Sequence, residues 1–287
     1  MRHIKQLEIY RKTAPLGIRF WDPVLNRQVR SGLHVQLKPK KKHGSWISAR
    51  LTTGGIYAFH HLPGWREFVN SQTEFDRETS ITFTQTFIIK VTDISATYRN
   101  FAFELNAPFA GIFPSAITDI SMPETPGIDL FSAPTRSVPS GFGAVYVTCT
   151  QLSPLESKPA SFALIKITTE ENYTNYGLAD KDGKALVLLP FPLIKQKLAD
   201  SPPDDQRVAI SKYTWDVSLS VQYAENAQKL IPGCKEPDLL SLLDQPDAMM
   251  YLSLSPVVES AVKSLQIQFN NPVVARTEER SELFIKV

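Results

Sequence analysis

Between positions 214 and 223 apolar and polar residues alternate without a break. Trp215, Val217, Leu219, Val221 and Tyr223 fall on one side, and Thr214, Asp216, Ser218, Ser220 and Gln222 on the other. A period of two is that of a half-buried β-strand. The same reading predicts strands at 18–21, 33–37, 56–59, 81–91, 101–105, 143–150, 162–167, 185–189 and 283–287. The stretch 81–91 mixes alternation with a β-branched run, as a long, partly buried strand would. The 21 prolines punctuate these runs and discourage long helices. One stretch, 237–245, has helical spacing: Pro237 suits a first helical turn, Leu239, Leu240, Leu242 and Leu243 form an apolar face, and Pro246 ends it.

A strand–turn–strand phrase occurs twice. The first copy is Thr52-Thr53-Gly54-Gly55-Ile56-Tyr57-Ala58-Phe59, closed by Pro63; the second is Gly177-Leu178-Ala179-Asp180-Lys181-Asp182-Gly183-Lys184-Ala185-Leu186-Val187-Leu188-Leu189, closed by Pro190. Gly-Gly and Asp-Gly tolerate the positive φ of a tight hairpin turn. Upstream lie Asp22-Pro23 and Leu33–Leu37 in one case, and Ser153-Pro154 and Phe162–Ile167 in the other, at similar spacing. Two copies are too few for a solenoid and read as module duplication. The expected fold class is mainly β: two tandem Ig-like sandwich modules at 1–105 and 143–200. A Pro/Gly-rich connector or strap at 106–142 joins them, and a β-rich C-terminal extension at 201–287 carries the helix 237–245.

Charge and chemistry add mostly exclusions. Net charge is +2, from 31 basic and 29 acidic residues, so no global field calls for nucleic acid or an acidic membrane. The one basic run, Lys38 to His43, reads as a solvated hairpin loop. Cys149 and Cys234 form no metal or redox spacing and suggest a reducing compartment, with Cys149 buried in its strand. No stretch approaches the ~20 apolar residues of a membrane-spanning helix. The first residues lack the apolar core of a signal peptide, and the expectation is a cytoplasmic protein. That leaves the sequon Asn172-Tyr173-Thr174 without weight.

Enzyme signatures are absent: no HExxH, GxSxG, CxxC or helix-opening GxGxxG. The stretch from Gly177 to Lys184 has the wrong glycine spacing for a P-loop, and Asp180-Lys181-Asp182-Gly183 lacks the later ligands of a calcium loop. Glu67, Glu74, Asp76 and Glu78 read as a solvated acidic cluster. His60 and His61, adjacent on a strand, point to opposite faces and do not chelate one ion. A metal or catalytic site would require His34, His60 and Asp22 to converge. The expectation is no catalytic residue, no metal and no cofactor. Trp46 and Trp65 flank loops and, with Leu239, Leu240 and Leu243 of the helix, are the candidate interface residues.

The paired glycine-turn phrases resemble the carboxypeptidase-regulatory or transthyretin-like β-sandwich module, over 15–65 and 143–192. A second resemblance spans most of the chain. Ile18-Arg19-Phe20-Trp21-Asp22-Pro23, Leu62-Pro63-Gly64, Pro126-Gly127-Ile128-Asp129-Leu130-Phe131-Ser132-Ala133-Pro134, Gly177-Leu178-Ala179-Asp180 and Leu188-Leu189-Pro190 are similar in order to a family encoded with extracellular contractile injection systems. So are Pro237-Asp238-Leu239-Leu240, Gln245-Pro246, Arg276-Thr277 and Ser281-Glu282-Leu283-Phe284-Ile285. The resemblance implies a structural component of a phage-tail-like particle, at the cap or terminal end. Its implied partners are copies of itself in a ring, for instance a hexamer, and sheath, tube or other cap proteins, with no nucleic acid and no membrane insertion. The alternative from another class is a soluble β-sandwich module binding a carbohydrate or protein ligand.

Overall fold

In the computed structural model the described residues are 14–41, 44–62, 85–107, 112–113, 127–152, 157–192 and 213–286. They form a mainly β protein. The chain divides into two compact units, the first of Met1–Trp21, Arg27–Val91 and Phe103–Asp129, the second of Asp22–Asn26, Thr92–Ala102 and Leu130–Val287.

In the first unit, β1 (Leu16–Ile18) has β7 (Tyr57–Phe59) antiparallel on one side, with Gly17 opposite Ala58, and β10 (Ile112–Phe113) parallel on the other. β6 (Arg50–Leu51) extends this sheet beyond β7. A second sheet has the order β5 (Ile47–Ser48), β4 (Leu33–Pro39), β8 (Gln85–Asp93), β9 (Phe101–Ala107). A small third sheet sets β2 (Phe20–Asp22) between β3 (Arg27–Gln28) and β11 (Ile128–Asp129). Phe20, Phe59, Phe87 and Phe103 are fully buried, and Phe103 stacks on Phe113 at 5.8 Å. Burying a side chain of this size contributes about 1.5–3 kcal/mol relative to leaving it exposed.

The second unit repeats this topology. β12 (Phe142–Gln151) has β16 (Lys184–Pro190) antiparallel on one side, with Val145 opposite Val187, and β21 (Val273–Ala275) parallel on the other. The other sheet has the order β15 (Thr174–Leu178), β14 (Leu164–Thr169), β17 (Thr214–Gln222), β20 (Lys263–Gln268). In both units the first strand pairs back onto the strand after the glycine turn and takes a late strand in parallel. Val145, Val187, Ile165 and Leu219 belong to one apolar core drawn from both sheets. Of the predicted inward face of β17, Val217, Leu219, Val221 and Tyr223 are buried, and Trp215 is half-buried against the same core. The far half of β12 carries β13 (Lys158–Pro159) and β22 (Leu283–Lys286). β18 (Asp247–Leu254) pairs β22, the end of β17, and β19 (Val257–Ser260), which links the two sheets along one edge.

The two glycine turns are built alike. Gly55 N donates to Thr52 O and Thr52 N to Ile56 O, each at 2.9 Å; Gly183 N donates to Asp180 O at 3.0 Å and Asp180 N to Lys184 O at 2.8 Å. A side-chain oxygen locks each turn, Thr52 Oγ1 accepting from Ile56 N and Asp180 Oδ1 from Lys184 N. Gly55 and Gly183 have φ of +74° and +77°, where L side chains are strained.

The structure divides the chain differently from the sequence-level boundaries. The stretch 201–287 is no extension, because β17, β20, β21 and β22 complete the second sandwich. The stretch 106–142 is no simple strap, because β10 and β11 lie in sheets of the first unit. A fragment such as 143–192 would leave one apolar sheet face uncovered, so the later strands must close it. The helix α1 is shorter than 237–245, covering Leu239–Leu243 after Asp238. The strand expected at 81–91 begins within the described residues at Gln85.

Candidate functional site

The most concentrated group of buried polar side chains surrounds Asp22 in the second unit. The Asp22-Pro23 turn folds the chain back on the carboxylate, whose Oδ1 accepts from Val24 N at 3.1 Å and Leu25 N at 3.3 Å. Arg136 closes on it with both ends of its guanidinium, Nη2 to Oδ2 at 2.7 Å and Nη1 to Oδ1 at 3.2 Å. Tyr98 OH donates to Oδ2 at 2.8 Å, and Arg136 Nη1 also donates to Ser132 Oγ. The side chains of Arg136 and Asp22 are 3% and 0% exposed. A bidentate, buried pair with its remaining lone pairs filled is a structural clasp: it has no vacant position for a metal or a substrate proton. Asp93 is committed similarly, to Ser95, Thr97 and Tyr98 main-chain donors.

The sequence-level site residues fall in different places. Asp22 is thus unavailable as a third ligand for His34 and His60. His34 is exposed, with Nε2 3.3 Å from Ser48 Oγ. Among the described residues no group of three or more His, Cys, Asp or Glu is arranged to hold a metal ion. Trp46 is half-buried, and the Lys38 ammonium lies 4.7 Å from its ring centroid. With Lys40 paired to Glu104 at 2.7 Å, the basic run is partly tied into its own sheet. Trp65 and the acidic cluster Glu67, Glu74, Asp76 and Glu78 lie outside the described residues. Leu239 and Leu242 are buried, while Leu240 and Leu243 are half-buried. Leu239 is packed into the core of its own unit, and Leu240 and Leu243 are the leucines of the helix that remain reachable.

Gln245, just past α1, is also buried. Its amide donates to Phe162 O and Leu242 O, each at 3.0 Å, and its carbonyl accepts from Ala224 N and Gln228 Nε2 at 3.2 Å. A shallow cleft of about 670 Å³ opens beside the start of β18, lined by Tyr223, Glu225, Asp247, Met249 and Lys286. Burial, with Glu225 adding to it, pushes the Tyr223 hydroxyl up to about 12, and Gln151 Nε2, hydrogen-bonded to that hydroxyl, opposes the shift. Burial alone pushes Cys149 up to about 12. Neither group is poised for chemistry near neutral pH. The hairpin of β18 and β19 went unread in the sequence. It carries the exposed Val257 and Val258, and its signal was a long stretch, 249–262, with Glu259 as the lone charge.

No protein-family model matches the chain, and no curated protein matches it. Among solved structures it is similar to the TIE protein of Bacillus anthracis, at 10% identity over 94% of this chain with a TM-score of 0.25. The chain spans about a third of that protein, 34% of its length. It is also similar to GBS52, the minor pilin of Streptococcus agalactiae, at 7% identity over 94% of this chain and 95% of that one, TM-score 0.27. A third is the shaft pilin spaA of Lactobacillus rhamnosus GG, at 9% identity over 94% and 97%, TM-score 0.23. At scores this low the likenesses carry no argument about this chain.

Proposed function

We propose that the chain is a structural, non-enzymatic subunit of a contractile injection particle, at the sheath–tube cap end, assembling with copies of itself and with sheath or tube proteins. The observation that carries this reading is the commitment of four buried polar side chains to the fold: Asp22, Arg136, Asp93 and Gln245 all use their hydrogen bonds to hold the second unit together. Each of the two sandwiches has its own apolar core and its own strand edges, and such edges are contact elements in symmetric assemblies. The resemblance of Ile18–Pro23, Pro126–Pro134 and Ser281–Ile285 to the injection-system family supplies the particular setting. Cytoplasmic synthesis followed by incorporation into the particle belongs to the same proposal. Among the described residues no helix is long and apolar enough to cross a membrane.

The carbohydrate-binding alternative would use Trp46 and Trp65, and the Lys38 ammonium already covers one face of the Trp46 ring. Light scattering on the purified chain, alone and co-expressed with sheath and tube proteins, decides between the readings. A ring mass, or transfer into sheath-containing particles, is the expected result. A monomer that ignores those proteins removes the particle reading.

A further inference from the structure

We propose that the outer edge of β19 docks a second copy of this chain, whose own β19 adds antiparallel and continues the sheet across a two-fold axis. The proposal rests on the reading of the chain as a self-assembling subunit. β18 begins as a core strand, with Ala248 and Met250 buried; from Tyr251 to Ser260 no residue of the hairpin is buried. The hairpin therefore runs past the core on which it starts. Among the described residues β19 pairs only with β18, Tyr251 opposite Glu259 and Leu254 opposite Val257, so among them one side of its main chain has no partner strand. Val257, Val258 and Val262 are 62%, 43% and 51% exposed.

Exposed strand edges are ordinarily blunted by lysine, by proline within the strand or by inward charge. This edge has none of these, and Pro256 sits in the turn ahead of the strand. Its single charge, Glu259, is bound by Lys286 Nζ at 3.0 and 3.1 Å. The edge thus asks for a partner that is extended, apolar and uncharged, and β19 of a second copy is all three. With Val258 of each copy opposite the other across the axis, each Glu259 faces Val257 of the second copy, so like charges are not directly opposite. A four-residue edge buries well under the roughly 800 Å² per partner of a standard interface. The dimer is therefore concentration-dependent.

The test combines sedimentation of the full chain over a concentration series with amide hydrogen exchange across 255–262. The expected result is association that rises with concentration, exchange at 257–260 slowing in step, and at least about tenfold weaker association in Val258→Lys. Val274→Lys, on the exposed side of β21, serves as control and leaves association unchanged; Val257→Lys replaces Val258→Lys if that variant does not fold. Assembly that persists at wild-type strength in a folded lysine variant, or exchange at 257–260 indifferent to concentration, overturns the surface and leaves self-assembly standing. Protection that appears only when sheath or tube protein is added overturns the choice of occupant. A chain that stays monomeric throughout overturns both the surface and self-assembly.

Discussion

Asp22 and Arg136 show how much one buried pair commits. Removing one partner leaves the other charge buried and unpaired, which costs about 3–5 kcal/mol, whereas replacing both with apolar residues of similar size can be neutral or better. Asp22→Ala is therefore expected to lose stability of that order in urea denaturation, and Asp22→Leu with Arg136→Met to recover most of it. An equal loss in the double variant would remove the clasp from the account. Cys149 makes a prediction in pH. Its thiol is held near 12 when folded against an ordinary value of 9.0. Above pH 9 the unfolded chain gives up that proton and the folded chain keeps it, so the folded state binds more protons and stability falls as pH rises from about 9 to 12. Tyr223, raised from 10.0 to about 12, acts in the same direction. The check is a denaturation midpoint that falls over this window, together with slow reaction of Cys149 with a thiol reagent at pH 8 relative to the half-buried Cys234.

The two glycine turns share hydrogen bonds and φ but differ in what surrounds them. A Cβ at Gly183 would run into the Cys149 carbonyl, which is main chain and cannot move aside. At Gly55 it would meet Arg30 Cγ at 2.7 Å and Gln28 Nε2 at 2.8 Å, side-chain atoms that can shift. Gln28 pays for that shift with its bonds to Gly54 O and Gly55 O. Both alanine variants carry the strain of positive φ, about 1–2 kcal/mol. Gly183→Ala is expected to cost clearly more than Gly55→Ala in thermal denaturation, and the reverse order would contradict the turn geometry described here. At the same scale, α1 turns Leu239 and Leu242 into the core and leaves Leu240 and Leu243 as its reachable side chains.

For the whole molecule, near-neutrality is the relevant quantity. With 31 basic and 29 acidic residues, and with Lys40, Arg136 and Lys286 paired within their own units, the proposed assembly would have little long-range electrostatic drive. The light-scattering mass should accordingly change little between low and moderate salt, since strand pairing and apolar contact are weakly screened. A mass that collapses on adding salt would point to a charged interface elsewhere. The duplicated topology gives the chain several strand edges, and among the described residues β19 joins an edge without a partner strand to two exposed valines, Val257 and Val258.

Alternation and turn chemistry in the sequence determined the β class, most core strands and both glycine turns, because a two-residue period and a positive-φ glycine are local signals. β17 was legible almost to its ends, with the alternation of its buried face, although Trp215 on that face is only half-buried. β15, with Asn175 and Gly177, and β18, with Ala248, Met249 and Met250, were not legible, because their residues have weak strand preference. The ladders to β14 and to β22 impose the conformation. Module boundaries escaped for a related reason: the strands that finish each sandwich arrive late in the chain, and no local pattern says which sheet they will join. The candidate site followed the same division. Trp46 and the leucines of 239–243 were visible as aromatic and helical signals, but only burial separates Leu239 from Leu240. That Asp22 meets Arg136, 114 residues away, and that β19 has no second partner strand among the described residues, are decided by tertiary pairing alone, because the competition among strands for partners is settled over the whole sheet.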